Sequence, residues 1–190
     1  MNIDPEKFTE MGVAAIREMQ EVARRGQQQE VDAWHLLATL VGQEEGIAPT
    51  LLDEMGVGVA PLQLSLQREL EKLPKISGNV DTARSYVSSN LTEVIEKAQV
   101  VSREMEDDYV STEHLLLGLV IVRKPLALAT FFKNFGLTEK KIREALKEIR
   151  GGQRVTSKTP ENTFRALRKF GIDLVEQAKA GKLDPVIGRD

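Results

Sequence analysis

The sequence of 190 residues contains no cysteine, only two histidines, and few aromatic residues, which make up 5% of the total. The absence of cysteine excludes disulfides, thiolate catalysis and cysteine-based zinc sites. Two histidines are too few for a histidine-rich metal centre. No apolar run approaches the roughly 20 residues that span a bilayer, and the first residues lack the basic and apolar segments of a signal peptide. We therefore expect a cytoplasmic protein with no metal and no membrane partner.

Clustered positive charge is also missing. The sequence has 26 Lys and Arg against 29 Asp and Glu, a net charge of −3. The first 150 residues hold 18 cationic and 24 acidic side chains, whereas the last 40 hold eight and five. Because binding to a phosphate backbone requires clustered cations, the acidic body predicts no nucleic-acid partner. Phosphate-binding glycine loops and a serine nucleophile elbow are absent as well, so we expect no catalytic residues in this body.

Apolar residues recur at spacings of three and four along most of the first 150 residues, which predicts a series of amphipathic helices. We expect Pro5 to open the first helix after the cap residue Asp4, and Gly26 to end it in the left-handed conformation. Three more helices are expected before residue 74. A polar loop covers residues 74–89, and Asn90 is expected to cap the helix that follows this loop. Little in the sequence favours strands.

The helical pattern occurs twice. An offset of 79 aligns residues 31–37 (VDAWHLL) with residues 110–116 (VSTEHLL), and one added residue makes the offset 80 further along. The sequence therefore predicts an all-α fold of two tandem pseudo-symmetric four-helix repeats, at about 4–73 and 90–150. The seam between two such units, with apolar and acidic walls, favours a groove for peptide segments.

The two histidines, His35 and His114, occupy the same place in both repeats. A catalytic histidine is normally needed once, so the duplication favours a structural role near the start of each helix. There the ring can satisfy helix-end donors or pack at the seam. The acidic run Glu106-Asp107-Asp108 lacks the ligand spacing of an EF-hand loop, and such clusters are usually solvated.

Three parts of the sequence carry a family resemblance: the doubled motif at 34–37 and 112–119, the inter-repeat segment 72–78, and the stretch from 164 to 190. In these parts the sequence resembles the Clp family of AAA+ unfoldases, most closely its disaggregase branch. The resemblance implies a Clp N-domain over residues 1–150. It also implies a linker at 151–159 and the incomplete start of a first AAA+ ATPase module at 160–190.

The resemblance also carries functional expectations. Members of the family form homohexameric rings that use ATP with Mg²⁺ to thread aggregated polypeptides, and they cooperate with the DnaK chaperone system. The N-domain is expected to bind exposed apolar segments of unfolded or aggregated proteins. Thr9, Asp107 and Glu113 match polar residues at the edge of the family's substrate groove, and His114 stands where the family often has an apolar residue. We expect Glu113→Ala to weaken client binding without unfolding the domain.

Val186, Ile187 and Gly188 match the segment that contacts the adenine of ATP in a complete module. Without a phosphate loop, residues 1–190 are expected to hold no cofactor and to catalyse no reaction. Two other interpretations stay open. One is the N-domain of a ClpC- or ClpA-like unfoldase that binds adaptors and feeds a protease. The other is a stand-alone two-repeat adaptor, which residues 183–190 argue against.

Overall fold

The computed structural model describes residues 3–44, 46–77, 85–160 and 162–164. Within these ranges the chain folds into two helical units, and the predicted all-α class is confirmed. The first unit consists of a short 3-10 helix Pro5–Lys7, α1 Glu10–Arg25, β1 Glu30–Val31, α2 Ala33–Gly42, α3 Ile47–Glu54 and α4 Val59–Glu71. The second unit consists of β2 Tyr86–Val87, α5 Ser89–Glu104, α6 Thr112–Val122, α7 Leu126–Asn134 and α8 Glu139–Arg150.

The first α-helix starts later than the sequence predicts. Asp4 caps only the three-residue 3-10 helix that contains Pro5. The chain then becomes extended at Phe8, whose side chain is buried. The N-cap of α1 is Thr9, whose Oγ1 accepts a hydrogen bond of 3.1 Å from the N–H of Gly12. Burial of Phe8 against the second unit therefore interrupts what would have been one continuous helix.

The left-handed residue after α1 is Gln27, with φ of 56°, and not Gly26, whose φ is −75°. The N–H of Gln28 donates to the carbonyl of Ala23, so the helix closes one residue later than the glycine suggests. The same left-handed turn follows α5 at Glu106, with φ of 56°. The prediction at Gly26 was wrong. The left-handed turn falls at equivalent positions of the two repeats, Gln27 and Glu106, and neither of them is a glycine.

Helix α5 is capped by Ser88, and the predicted cap Asn90 lies inside the helix. The Oγ of Ser88 accepts a hydrogen bond of 3.0 Å from the N–H of Leu91. The backbone N–H of Ser88 donates to the carbonyl of Val31 in the first unit. The pairing with the first unit thus fixes Ser88 in the extended conformation that a cap residue needs.

Two short parallel pairings join the units. Val31 in β1 pairs with Val87 in β2, and Phe8 forms an isolated parallel bridge with Val110. The offset of 79 relates Val31 to Val110 and Phe8 to Val87. In each unit, the segment before the second helix therefore pairs with the other unit's segment before its first helix. The strands are only two residues long, but they cross-link the two repeats.

The repeats share one hydrophobic core. Helices α2 and α6 lie at its centre and are buried along most of their length, and α5 packs along α6. The indole of Trp34 in α2 contacts the ring of Phe131 in α7 edge-on, with 5.4 Å between ring centroids. Among the described residues, no single helix is long and apolar enough to cross a membrane. Helices α6 and α7 reach that length only together, across a bend of 109°.

The chain after α8 packs back onto the helices. Gly151 ends α8 in the left-handed conformation, as the double glycine suggests. Val155 is then fully buried, and the carbonyl of Lys158 accepts a hydrogen bond of 2.8 Å from the N–H of Glu10. Further along, Phe164 is buried with its ring 5.6 Å from the guanidinium carbon of Arg150. The predicted linker residues 151–159 are thus attached to the domain at several points.

The close packing of α5 against α6 can be tested by substitution of Gly118. A Cβ added at Gly118 would lie 2.6 Å from the carbonyl oxygen of Val94, which belongs to the backbone and cannot move aside. Gly118→Ala should therefore destabilise the domain by about 1–3 kcal/mol. Gly42→Ala is the matched control, because its Cβ would meet nothing within 4 Å, and it should stabilise by about 0.5 kcal/mol. Urea unfolding followed by circular dichroism measures both, and equal effects would contradict the proposed close packing.

Candidate functional site

The two histidines make equivalent contacts. In the first unit, Nδ1 of His35 accepts a hydrogen bond of 2.9 Å from the N–H of Asp32, and Nε2 lies 2.8 Å from Oε1 of Gln28. In the second unit, Nδ1 of His114 accepts from the N–H of Ser111 at 2.9 Å. Both rings thus satisfy a donor at a helix start, as predicted. An Nδ1 that accepts a backbone N–H carries no proton, so the hydrogen of each ring lies on Nε2.

Burial lowers the pKa of His35 below its usual value, although Asp32 opposes this effect. A neutral ring is therefore favoured at this site. The Nε2–H of His35 donates to Gln28, whose Nε2 in turn donates to the carbonyl of Leu70 at 2.7 Å. This chain of hydrogen bonds satisfies the buried polar groups of His35 and Gln28 without a formal charge.

The second unit places charges at the matching positions. The Nε2–H of His114 donates to Oδ2 of Asp107 at 2.8 Å, and Nη1 of Arg150 donates to the same oxygen at 2.8 Å. Nη2 and Nε of Arg150 donate to Oε1 of Glu113 at 2.5 and 3.2 Å. All four side chains are buried, so Asp107, Glu113, His114 and Arg150 form one charged cluster.

The charged cluster is a departure from the repeat symmetry. By the offsets of 79 and 80, Asp107 corresponds to Gln28, Glu113 to Trp34, and Arg150 to Leu70. An amide, an indole and an isobutyl group in the first unit are thus replaced by two carboxylates and a guanidinium in the second. Packing alone does not require these charges, because the first unit builds the same helices without them.

The pKa values of both carboxyls reflect their partners. Burial by itself would raise the pKa of Asp107, but hydrogen bonds from His114, from the N–H of Val155 and from Arg150 outweigh burial and hold it below its usual value. Burial likewise opposes ionisation of Glu113, and the Arg150 guanidinium nonetheless lowers its pKa. Both carboxyls are therefore ionised at neutral pH, although Oε2 of Glu113 has no hydrogen-bond partner among the described residues.

In the charged cluster two carboxylates face one guanidinium. The backbone of the segment after α8 supplies a further donor to Asp107. The N–H of Val155 donates to Oδ1 of Asp107 at 2.6 Å, and the carbonyl of Val155 accepts from the N–H of Asp108 at 2.9 Å. Asp107 therefore links the start of α6, the end of α8 and the segment that follows α8.

A surface groove lies at the start of α1. It has a volume of about 330 Å³, which falls at the small end of ligand pockets. Its floor and walls combine apolar side chains with both signs of charge. The lining residues, which we call the α1 groove, are Pro5, Glu6, Phe8, Glu10, Val13, Ala14, Arg17 and Lys158.

Comparison with known proteins identifies the domain. The family model described as the Clp repeat (R) N-terminal domain matches residues 7–135, which is more than half of the chain. The chain belongs to this Clp N-domain family. It is 44% identical over 189 residues to the chaperone protein ClpB of Nitratidesulfovibrio vulgaris, covering 99% of this chain and 22% of that protein. It is 34% identical to the chaperone protein ClpB of Clostridium perfringens, covering 100% of this chain and again 22% of the relative.

A solved structure agrees on the fold. The N-terminal domain of Hsp104 from Candida albicans superposes with a TM-score of 0.67 at 22% sequence identity, covering 82% of this chain and 99% of that one. The family match and the ClpB relatives confirm the resemblance to a ClpB-type chaperone. This Clp N-domain chain spans only about a fifth of the length of the curated relatives named above. The activity of the whole protein is therefore a matter for proposal.

The structure brings together three of the four residues that the Clp resemblance placed at a groove. Asp107, Glu113 and His114 all belong to the charged cluster, whereas Thr9 caps α1 and donates its N–H to the carbonyl of Val110. All four side chains are buried, so they could affect client binding only indirectly. Their role in client binding stays a prediction. Val186, Ile187 and Gly188, which the resemblance predicts to contact adenine, lie outside the described residues. Within the described ranges, no group of three or more potential ligands is placed to hold a metal ion.

Sequence reasoning missed Arg150 and Lys158. Both were counted only as cations near the end of the domain, because their partners lie far away in sequence. Arg150 contacts Glu113, 37 positions earlier, and Lys158 contacts Glu6, 152 positions earlier. The buried position of Arg150 has one sequence signal, since it falls on Leu70 in the repeat alignment.

The buried Arg150–Glu113 pair changes the expected effect of Glu113→Ala in this Clp N-domain. Removing Glu113 leaves the guanidinium of Arg150 buried with one partner fewer, so we expect a loss of about 3 kcal/mol of unfolding free energy. Glu148→Ala, on the exposed face of α8, is the control and should change stability by less than about 0.5 kcal/mol. Urea unfolding distinguishes the two. Equal small effects would mean that the Arg150 pair is not buried.

The lowered carboxyl pKa values predict a pH dependence with a definite sign. Because the folded pKa values of Asp107 and Glu113 lie below their unfolded values, their contribution is fully present above about pH 4.5. It is lost as the pH falls from there through the folded pKa values. The double variant Asp107→Asn with Glu113→Gln should therefore show a shallower decline of unfolding free energy between pH 5 and pH 3. Parallel declines in the two proteins would contradict this assignment.

Proposed function

We propose that this Clp N-domain binds exposed apolar segments of unfolded or aggregated polypeptides and helps to deliver them to the ring of its parent AAA+ protein. In this proposal the parent is a homohexamer that uses ATP with Mg²⁺ for threading and works with the DnaK chaperone system. The observation that carries the proposal for this chain is the α1 groove, an open surface site that offers apolar contact without a catalytic group.

The α1 groove lies close to the seam at which the sequence predicted a peptide site. Phe8 belongs to its lining and also bridges to Val110 of the second unit. Val13 and Ala14 add a partly exposed apolar strip on α1. Arg17 and Lys158 stand beside Glu6 and Glu10, so the rim can pair with either sign of charge in a client.

The size of the α1 groove suits weak binding. A volume of about 330 Å³ accommodates a few side chains rather than a folded surface. A client that is to be passed on must be released, so a small apolar contact with little ordering cost is appropriate. The ClpB relatives favour this disaggregase role over that of a ClpC- or ClpA-like unfoldase that serves a protease.

The α1 groove is tested by a charge placed within it. Ala14→Glu should weaken binding of a permanently unfolded model client such as casein by about tenfold, which equals about 1.4 kcal/mol of binding free energy. The physical reason is that an apolar client segment must then desolvate a carboxylate. Fluorescence anisotropy with a labelled client measures the dissociation constant.

Gln20→Glu is the matched control for this experiment. Gln20 is exposed on the same helix but does not line the groove, so the added charge should leave client binding within a factor of about two. Equal weakening by both variants would indicate a general charge effect, and no weakening by Ala14→Glu would exclude the α1 groove as the client site.

A further inference from the structure

The segment after α8, residues 153–160, contributes Lys158 to the lining of the α1 groove. Its attachment begins at Val155, which is fully buried and exchanges two hydrogen bonds with the loop before α6. The N–H of Val155 donates to Oδ1 of Asp107 at 2.6 Å, and its carbonyl accepts from the N–H of Asp108 at 2.9 Å. We call residues 153–160 the strap.

The second attachment of the strap lies at the start of α1. The carbonyl of Lys158 accepts a hydrogen bond of 2.8 Å from the N–H of Glu10, an amide of the first helical turn that has no partner within the helix. The ammonium of Lys158 pairs with the carboxylate of Glu6. Lys158 is therefore fixed between two groove residues and closes that side of the α1 groove.

The contacts of the strap differ in strength. The hydrogen bond from the N–H of Val155 to the Asp107 carboxylate is buried and charge-assisted, so it is the strongest of them. The Lys158–Glu6 pair is exposed, with 39% and 81% of the two side chains accessible, so it adds little. Val155 belongs to the same hydrophobic core as α2 and α6 and is fully buried there. Burial of Val155 and its hydrogen bond to the Asp107 carboxylate hold the strap in place.

We propose that the strap completes the α1 groove: Asp107 and buried Val155 hold the strap, the strap holds Lys158 at the groove, and detaching the strap lowers client affinity. Without the strap, the α1 groove would lose the wall that Lys158 provides, and a client would bind less tightly. The link to client affinity rests on the proposed function, whereas the attachment of the strap does not.

The experiment uses the 190-residue chain with Val155→Asp, which places a carboxylate opposite Asp107 and should detach the strap. Thr156→Asp is the matched control, because Thr156 is the exposed neighbour and receives the same charge. Hydrogen exchange of the Glu10 and Asp108 amides, which both donate to strap carbonyls, reports attachment. We expect at least a tenfold rise in exchange, on the order expected for local opening, with Val155→Asp and no change with Thr156→Asp.

Binding of the casein client is then measured on the same proteins. Val155→Asp should weaken it by about threefold or more, consistent with loss of one wall of a small site, while Thr156→Asp should not. Helical circular dichroism and the fluorescence of Trp34 must remain unchanged. Val155→Ala, which trims the contact without adding charge, should act in the same direction with a smaller effect if Val155→Asp fails to fold.

The possible failures are distinguishable. Faster exchange without weaker client binding would overturn the role of the strap as a groove wall. Unchanged exchange in a folded Val155→Asp variant would overturn the attachment itself. If the unaltered chain does not bind the client, the proposed function fails and the link to client affinity fails with it, whereas the exchange data still decide whether the strap is attached.

Discussion

The carboxylate of Asp107 is the contact on which the second half of this domain depends. It accepts hydrogen bonds from His114 at the start of α6, from Arg150 at the end of α8, and from the N–H of Val155 beyond it. A buried carboxylate is stable only when donors surround it. The need to satisfy this one charge therefore fixes the relative positions of two helices and a segment that composition alone describes as a linker.

The two repeats pack equivalent helices with different side chains. The first unit places Gln28, Trp34 and Leu70 where the second places Asp107, Glu113 and Arg150. Buried ion pairs seldom increase stability over well-packed apolar groups, because removing both charges from water is costly. Retaining them in one unit only is consistent with a role in holding the strap, which has donors to offer and lies beside the α1 groove.

The cross-pairing of the units explains why the domain forms one body rather than two. Phe8 joins the first unit to Val110 of the second, and Val87 of the second joins Val31 of the first. Each pairing also holds the residue that caps the following helix, Thr9 in one case and Ser88 in the other. The short strands thus connect the repeat seam to the helix start that borders the α1 groove.

The sequence by itself determined the helices, the duplication and the family, because these depend on local spacing and on motifs that can be compared at a fixed offset. It also gave the correct role of His35 and His114 at helix starts, since one residue in two equivalent places is a structural signal. Its errors at Pro5, Gly26 and Asn90 arose where contacts between the units override local capping preferences.

Only the tertiary structure decided which polar residues are buried together. The resemblance placed Asp107 and Glu113 at a groove edge, and neither was assigned a buried partner. A charged side chain acquires its partner only when folding brings distant segments into contact. The enclosure of the α1 groove by a residue 152 positions from its partner Glu6 has the same origin. Local spacing can be seen in the sequence. These charges, in contrast, leave water and pair with each other only when the core has formed.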